Sequence, residues 1–168
     1  MRKSKPKLLA IAPVAAAVLI AGCGGASYGG SGNSGAAANA APSKAAGNAS
    51  SVALASSRFG RILVDSHGRT LYVFAADKGT TSTCYGACAS LWPPLTVTGA
   101  PKAGTGVSAS LLGTAKRTDG TTEVTYAGHP LYYYAPDTAA GAITGQDISQ
   151  FGAKWYVLTP NGKEITHG

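Results

Sequence analysis

The side chains best placed to do chemistry are two cysteines four residues apart, Cys84 and Cys88, three histidines, His67, His129 and His167, and two aspartates, Asp77 and Asp137. Two thiols at short spacing suit a disulfide, a redox couple or a pair of metal ligands. The spacing is C-x-x-x-C rather than the C-x-x-C of thioredoxin-type couples, and no βαβ pattern surrounds it. A tetrahedral zinc site would need further ligands, and neither a second cysteine pair nor an H-x-x-x-H run supplies them. Attachment of haem through C-x-x-C-H lacks its motif. No cofactor or metal is therefore predicted, and copper or haem handling by Cys84 and Cys88 with a histidine brought near by folding stays as the alternative. Serines are abundant, but no G-x-S-x-G marks one as a nucleophile, so no catalytic residue is assigned.

Asp77 and Asp137 each close the same phrase. Leu71-Tyr72-Val73-Phe74-Ala75-Ala76-Asp77 aligns with Leu131-Tyr132-Tyr133-Tyr134-Ala135-Pro136-Asp137 at an offset of 60, and Trp92 aligns with Trp155 at an offset of 63. In a strand, residues two apart share a face, so Tyr72 with Phe74, and Tyr132 with Tyr134, present paired rings to one side. Val73 and Tyr133 point the other way, and Tyr133 is the residue expected to be exposed to a ligand. Each aspartate falls where the strand ends, placed to accept loop N–H groups or a tyrosine hydroxyl. A buried tyrosine hydroxyl left without a partner costs about 1–3 kcal/mol, so a latching role for Asp77 and Asp137 follows directly. The sharper use of the same residues is a shallow aromatic and carboxylate site for a ligand such as a glycan.

The elements that position these residues read as β. "RILVDSHGRTLYVF" gives two short apolar strands around Ser66-His67-Gly68-Arg69. "TEVTYAGHPLYYY" gives two around Ala127-Gly128, after an Asp119-Gly120 turn, and "WYVLTPNGKEI" adds a strand, a Pro160-Asn161-Gly162 turn and a last strand. Helical periodicity is confined to Tyr85 to Leu91 and Ser108 to Leu112. The expectation is one all-β domain of two homologous hairpin-plus-strand repeats with short helical turns.

The amino terminus carries an address. Arg2, Lys3, Lys5 and Lys7 precede an uncharged apolar run from Leu8 to Ile20, the layout of a signal peptide. As a helix that run spans about 20 Å against a hydrocarbon core of roughly 30 Å. "LIAGC" then resembles the lipobox of bacterial lipoproteins, which implies lipidation at Cys23 and anchoring of the exported protein on the outer face of the cytoplasmic membrane, or on an outer membrane where there is one. Loss of residues 1–22 removes four of the 14 basic residues and none of the seven acidic ones, leaving 10 − 7 = +3. The remaining Lys and Arg are scattered, which excludes a nucleic-acid stripe. Residues 24–57 are mostly Gly, Ala, Ser and Asn and are expected to form a disordered tether spanning about 30–35 Å. Outside the reducing cytoplasm, with Cys23 lipidated, Cys84 and Cys88 form an even pair and a disulfide is expected.

Taken together, lipobox, tether, tandem Tyr-x-(Phe/Trp/Tyr)-x-x-Asp and "CYGACASLWPPL" resemble the predicted bacterial lipoproteins built from a secreted repeat of unknown function, over nearly all of residues 58–160. The expected organisation is a signal peptide (1–22), lipidated cysteine and tether (23–57), a first repeat (58–100), a connection (101–115) and a second repeat (116–168). The resemblance implies an exported, lipid-anchored protein without an assigned activity. The expected function is a non-catalytic binding or structural module of the cell envelope, with a cell-wall glycan or an envelope protein as partner and the membrane engaged through lipid.

Overall fold

The computed structural model describes residues 50–167. The signal peptide, Cys23 and most of the tether lie outside the described residues. The first repeat contributes β1 (Ser51–Ser57), β2 (Gly60–Asp65) and β3 (Tyr72–Phe74), then the short helix α1 (Ala87–Leu91). A connection containing β4 (Lys102–Ala103) and a 3-10 turn (Ala109–Leu111) leads to the second repeat. That repeat contains β5 (Leu112–Lys116), β6 (Thr122–Tyr126), β7 (His129–Pro130), β8 (Ser149–Gln150) and β9 (Ala153–Val157). The all-β expectation and the positions of both helical turns agree with this.

Among the described residues three small sheets form, in the orders β2-β1-β4, β3-β9-β8 and β5-β6-β7. The β1–β2 hairpin turns through Arg58-Phe59 and runs in register from Ser57↔Gly60 to Val52↔Asp65. Its counterpart β5–β6 turns through Asp119-Gly120 and runs from Lys116↔Thr122 to Leu112↔Tyr126. Asp65 shapes the turn after β2 by accepting the N–H groups of His67 and Arg69 at 2.8 and 2.9 Å. Ala127 and Gly128 both adopt positive φ, 50° and 86°, which sets the twist of the tight β6–β7 hairpin.

Two expected boundaries move. The tether does not extend to residue 57, because Ser51–Ser57 is β1, paired with β2 on one side and β4 on the other. Its small-residue composition conceals Val52, which is fully buried, and Leu54, which packs against the core; the pairing comes from β2 rather than from local propensity. The second repeat likewise begins at β5, inside the segment read as a connection.

The repeats do not close on themselves. Tyr72 N–H donates to the Tyr132 carbonyl at 2.8 Å and Tyr132 N–H to the Tyr72 carbonyl at 2.9 Å, so the two motifs meet across an antiparallel bridge. β3 of the first repeat pairs with β9 of the second, Phe74 opposite Trp155. In return, the segment after Trp92 lies beside the second repeat's motif, with Pro94 bridging Tyr132. Ala75 N–H bonds the Lys154 carbonyl and Ala135 N–H the Leu91 carbonyl, each at 2.9 Å, so the exchange is reciprocal. The first repeat's copy of this strand is reduced to isolated bridges because Pro93 and Pro94 have no N–H to give.

Candidate functional site

The motif residues converge where the repeats cross. The Tyr72 hydroxyl donates to Asp137 Oδ2 and the Tyr132 hydroxyl to Asp77 Oδ2, each at 2.6 Å. Each tyrosine thus bonds the aspartate of the other repeat. The second oxygen of each carboxylate holds its own loop: Asp77 Oδ1 accepts Thr83 N and Oγ1 at 2.7 Å, and Asp137 Oδ1 accepts Thr144 N and Oγ1 at 3.1 and 2.5 Å. Gly145 follows Thr144 and donates its N–H to the Tyr72 hydroxyl at 3.2 Å. A Cβ there would lie 2.8 Å from Trp92 and 3.0 Å from Tyr72, so no larger residue fits without displacement.

Beneath the latches the rings form a column. Phe74, Trp155, Trp92 and Tyr134 stack in that order, with centroids 4.2, 3.9 and 4.2 Å apart. Tyr72 meets Trp92 edge-on at 5.4 Å and Tyr132 meets Trp155 edge-on at 5.2 Å. Tyr72, Tyr132, Trp92 and Trp155 are all fully buried. Burial, reinforced by Asp137, raises the Tyr72 phenol well above its ordinary range. Burial, with the charges of Glu123 and Asp77, does the same for Tyr132. Both hydroxyls therefore stay protonated and act as donors, and their bonds to Asp137 and Asp77 weld the repeats together.

Tyr133 is half-buried rather than open to a ligand. Its hydroxyl donates to Asp65 Oδ2 at 3.1 Å, the Arg69 guanidinium lies 4.2 Å from its ring centre, and the side chain packs on the second core. Period-two alternation turned it away from the aromatic column, as expected, but a second apolar core waits on that side.

Cys84 and Cys88 form the expected disulfide, with Cα atoms 5.2 Å apart. Both sulfurs sit in the aromatic core, Cys84 fully buried and Cys88 nearly so. Among the described residues no cluster of three or more His, Cys, Asp or Glu is placed to hold a metal ion.

Sequence reasoning missed a second buried constellation. Arg117 Nη1 donates to Glu123 Oε2 and to Ser82 Oγ, both at 2.7 Å, and Nη2 donates to the Cys84 carbonyl at 2.6 Å. Ser82 lies in turn 2.7 Å from the Tyr132 hydroxyl, so the cluster joins the latch. Glu123 is fully buried and its Oε1 has no partner. The alternation of Val124 and Tyr126 marks Glu123 as facing away from the second core, which ordinarily means solvent; here the disulfide loop covers that face. Burial lifts the Glu123 carboxyl from 4.5 to about 7 against the pull of Arg117. Its contribution to stability is complete below about pH 4.5 and is lost as pH rises through about 7. Asp119 runs the opposite way: hydrogen bonds from Thr121 lower it from 3.8 to about 2, so its contribution is complete above about pH 3.8 and is lost as pH falls through about 2. Thermal unfolding is therefore expected at higher temperature near about pH 6 than near about pH 8.5, and a curve flat or rising across that interval would contradict the assignment.

The geometry defines a class of protein, a β domain of two repeats that exchange strands and latches. The chain belongs to the family described as a secreted repeat of unknown function, which it matches over residues 53–96 and 113–159. The matched segments begin within β1 and near the start of β5, in agreement with the repeat boundaries of the fold. Searches of curated proteins and of solved structures found no match. Membership makes this an exported protein; no helix among the described residues is long and apolar enough to cross a membrane.

Proposed function

We propose that the protein is a cell-envelope lipoprotein, anchored through lipid on Cys23, whose exchanged-repeat domain is a non-catalytic module presented to an envelope partner. The partner is a cell-wall glycan or an envelope protein. The observation that supports this reading is the use made of the motif. The hydroxyls of Tyr72 and Tyr132 and the carboxylates of Asp77 and Asp137 are committed to bonds within the fold. An aromatic and carboxylate ligand site at the motif loses its groups to that role, so recognition falls to the domain's outer surface.

Fractionation tests both halves of the proposal. The full chain is expected in the membrane fraction, and the Cys23→Ala chain in the medium, from which it binds isolated envelope saturably. Wild-type protein free in the medium would overturn the anchor, and a released variant that ignores envelope would overturn the binding module. The alternative, redox or metal handling, rests on the Cys84–Cys88 bond. It predicts a copper or haem signal that Cys88→Ser abolishes; the burial of both sulfurs favours the structural role.

A further inference from the structure

The two repeats share a hairpin register that permits a residue-by-residue comparison. Leu71 N–H bonds the Leu63 carbonyl and Leu131 N–H the Val124 carbonyl, both at 3.0 Å. Ile62 therefore corresponds to Glu123, and their strand partners Ala55 and Ala115 correspond in turn. On the facing loops, Asp137 binds Thr144 as Asp77 binds Thr83, so Ile143 corresponds to Ser82.

The two corresponding spaces are filled differently. Between the β5–β6 hairpin and the residue 78–83 loop stand the Glu123 carboxylate, Arg117 and Ser82, closed by hydrogen bonds. Between the β1–β2 hairpin and the residue 140–143 loop there is instead an open cleft of about 490 Å³, walled by Ala55, Ser56, Arg58 and Ala140 over a floor of Ile62, Val64 and Ile143, which are 1%, 5% and 9% exposed. Its one charged lining residue is Arg58, at the hairpin turn one position beyond the residue that corresponds to Arg117. The Arg58 guanidinium rests 4.6 Å from the Phe59 ring centre and makes one long bond, 3.4 Å, to the Ile143 carbonyl. Most of its donors remain unused.

We propose that this cleft binds an unbranched acyl carboxylate, its carboxylate on Arg58 and its chain over Ile62, Val64 and Ile143. The ligand would supply from outside the carboxylate that Glu123 supplies from within at the corresponding space. Cleft size and apolar lining with a single charged group match small-molecule sites generally. Guanidinium and carboxylate geometry match as well. A peptide fits less well, because the lining hydroxyls of Ser57 and Thr70 already donate to the Gly60 and Ala142 carbonyls, which leaves Ser56, among the described residues, as the one lining hydroxyl free to donate to a peptide carbonyl. The proposal deepens the binding-module reading by naming a ligand class for one surface.

Calorimetric titration of the purified full chain tests it, with decanoate, decanol and N-acetyl-leucyl-leucine as probes. Decanoate is expected to bind at one site at least about tenfold more tightly than either of the others, a margin of about 1.4 kcal/mol. Arg58→Gln should erase the preference over decanol, and Ala140→Phe, which fills the cleft from an exposed loop position, should abolish binding of both. Equal affinity for decanoate and decanol, tighter binding of the peptide, no binding of decanoate, or binding indifferent to both substitutions would each overturn the proposal. Envelope binding is read separately: Ala140→Phe protein that still binds envelope while losing decanoate leaves the module reading standing and confines this ligand to the cleft.

Discussion

Above about pH 7, where the Glu123 carboxyl is ionised, Glu123→Ala is expected to destabilise the domain by about 3–5 kcal/mol, because it leaves the Arg117 guanidinium buried without its closest anion. The side chains of Arg117 and Glu123 are 1% and 0% exposed, and the pair is 2.7 Å long. The other carboxylate that Arg117 reaches, Asp119 at 3.1 Å, has a side chain 43% exposed and is correspondingly screened by solvent. Removing both charges together is expected to cost far less than removing one. Arg117→Met with Glu123→Leu abolishes the desolvation of two ions and retires the unpartnered Oε1, so the double variant should approach or exceed the stability of the wild type and stand several kcal/mol above Glu123→Ala. Denaturant unfolding of the three proteins decides this. A double variant less stable than Glu123→Ala would mean that the cluster holds the disulfide loop through Cys84 and Ser82 rather than merely filling a space.

Asp137→Ala should have the next largest effect. It removes the acceptor for the buried Tyr72 hydroxyl, an unsatisfied buried group that costs about 1–3 kcal/mol, and for the N–H and Oγ1 of Thr144, which is exposed and can turn to water. A loss of about 1–3 kcal/mol is expected. Asp77→Ala is the informative comparison, since the two aspartates occupy corresponding positions in the repeats. The Tyr132 hydroxyl keeps Ser82 as a partner, and the Thr83 bonds lie at the surface. The Asp77 variant should therefore lose less, by about 1 kcal/mol or more. Equal losses would place the stabilisation in the loop turns, which the two sites share, rather than in the tyrosine bonds.

The sequence made the duplication legible through one offset of 60 and another of 63, because identical strand ends need the same residues. Turn chemistry was equally readable: Asp119-Gly120, Ala127-Gly128 and the Ser66–Arg69 turn all fall where the chain reverses. So was the orientation of Tyr72, Phe74, Tyr132 and Tyr134 toward one core, which follows from period two. Partnership was not legible. A repeat pairing with itself and one exchanging strands with its neighbour share the same local pattern, and only tertiary structure assigns Tyr72 to Asp137. The burial of Glu123 and the half-burial of Tyr133 escaped for a common reason. Alternation predicts a solvent face opposite each apolar face, whereas here both sides of the central strands are covered. β1 escaped because a segment of Ser and Ala resembles a tether until a partner strand is present.

The claim at the centre of this account is that the motif joins the repeats to each other, and a double-mutant cycle tests it most directly. Tyr72→Phe combined with Asp137→Ala should show a coupling of about 0.5–3 kcal/mol, while Tyr72→Phe combined with Asp77→Ala should be additive within about 0.5 kcal/mol. Coupling of Tyr72 to Asp77, five residues along in its own repeat, with none to Asp137, would contradict the exchanged latch.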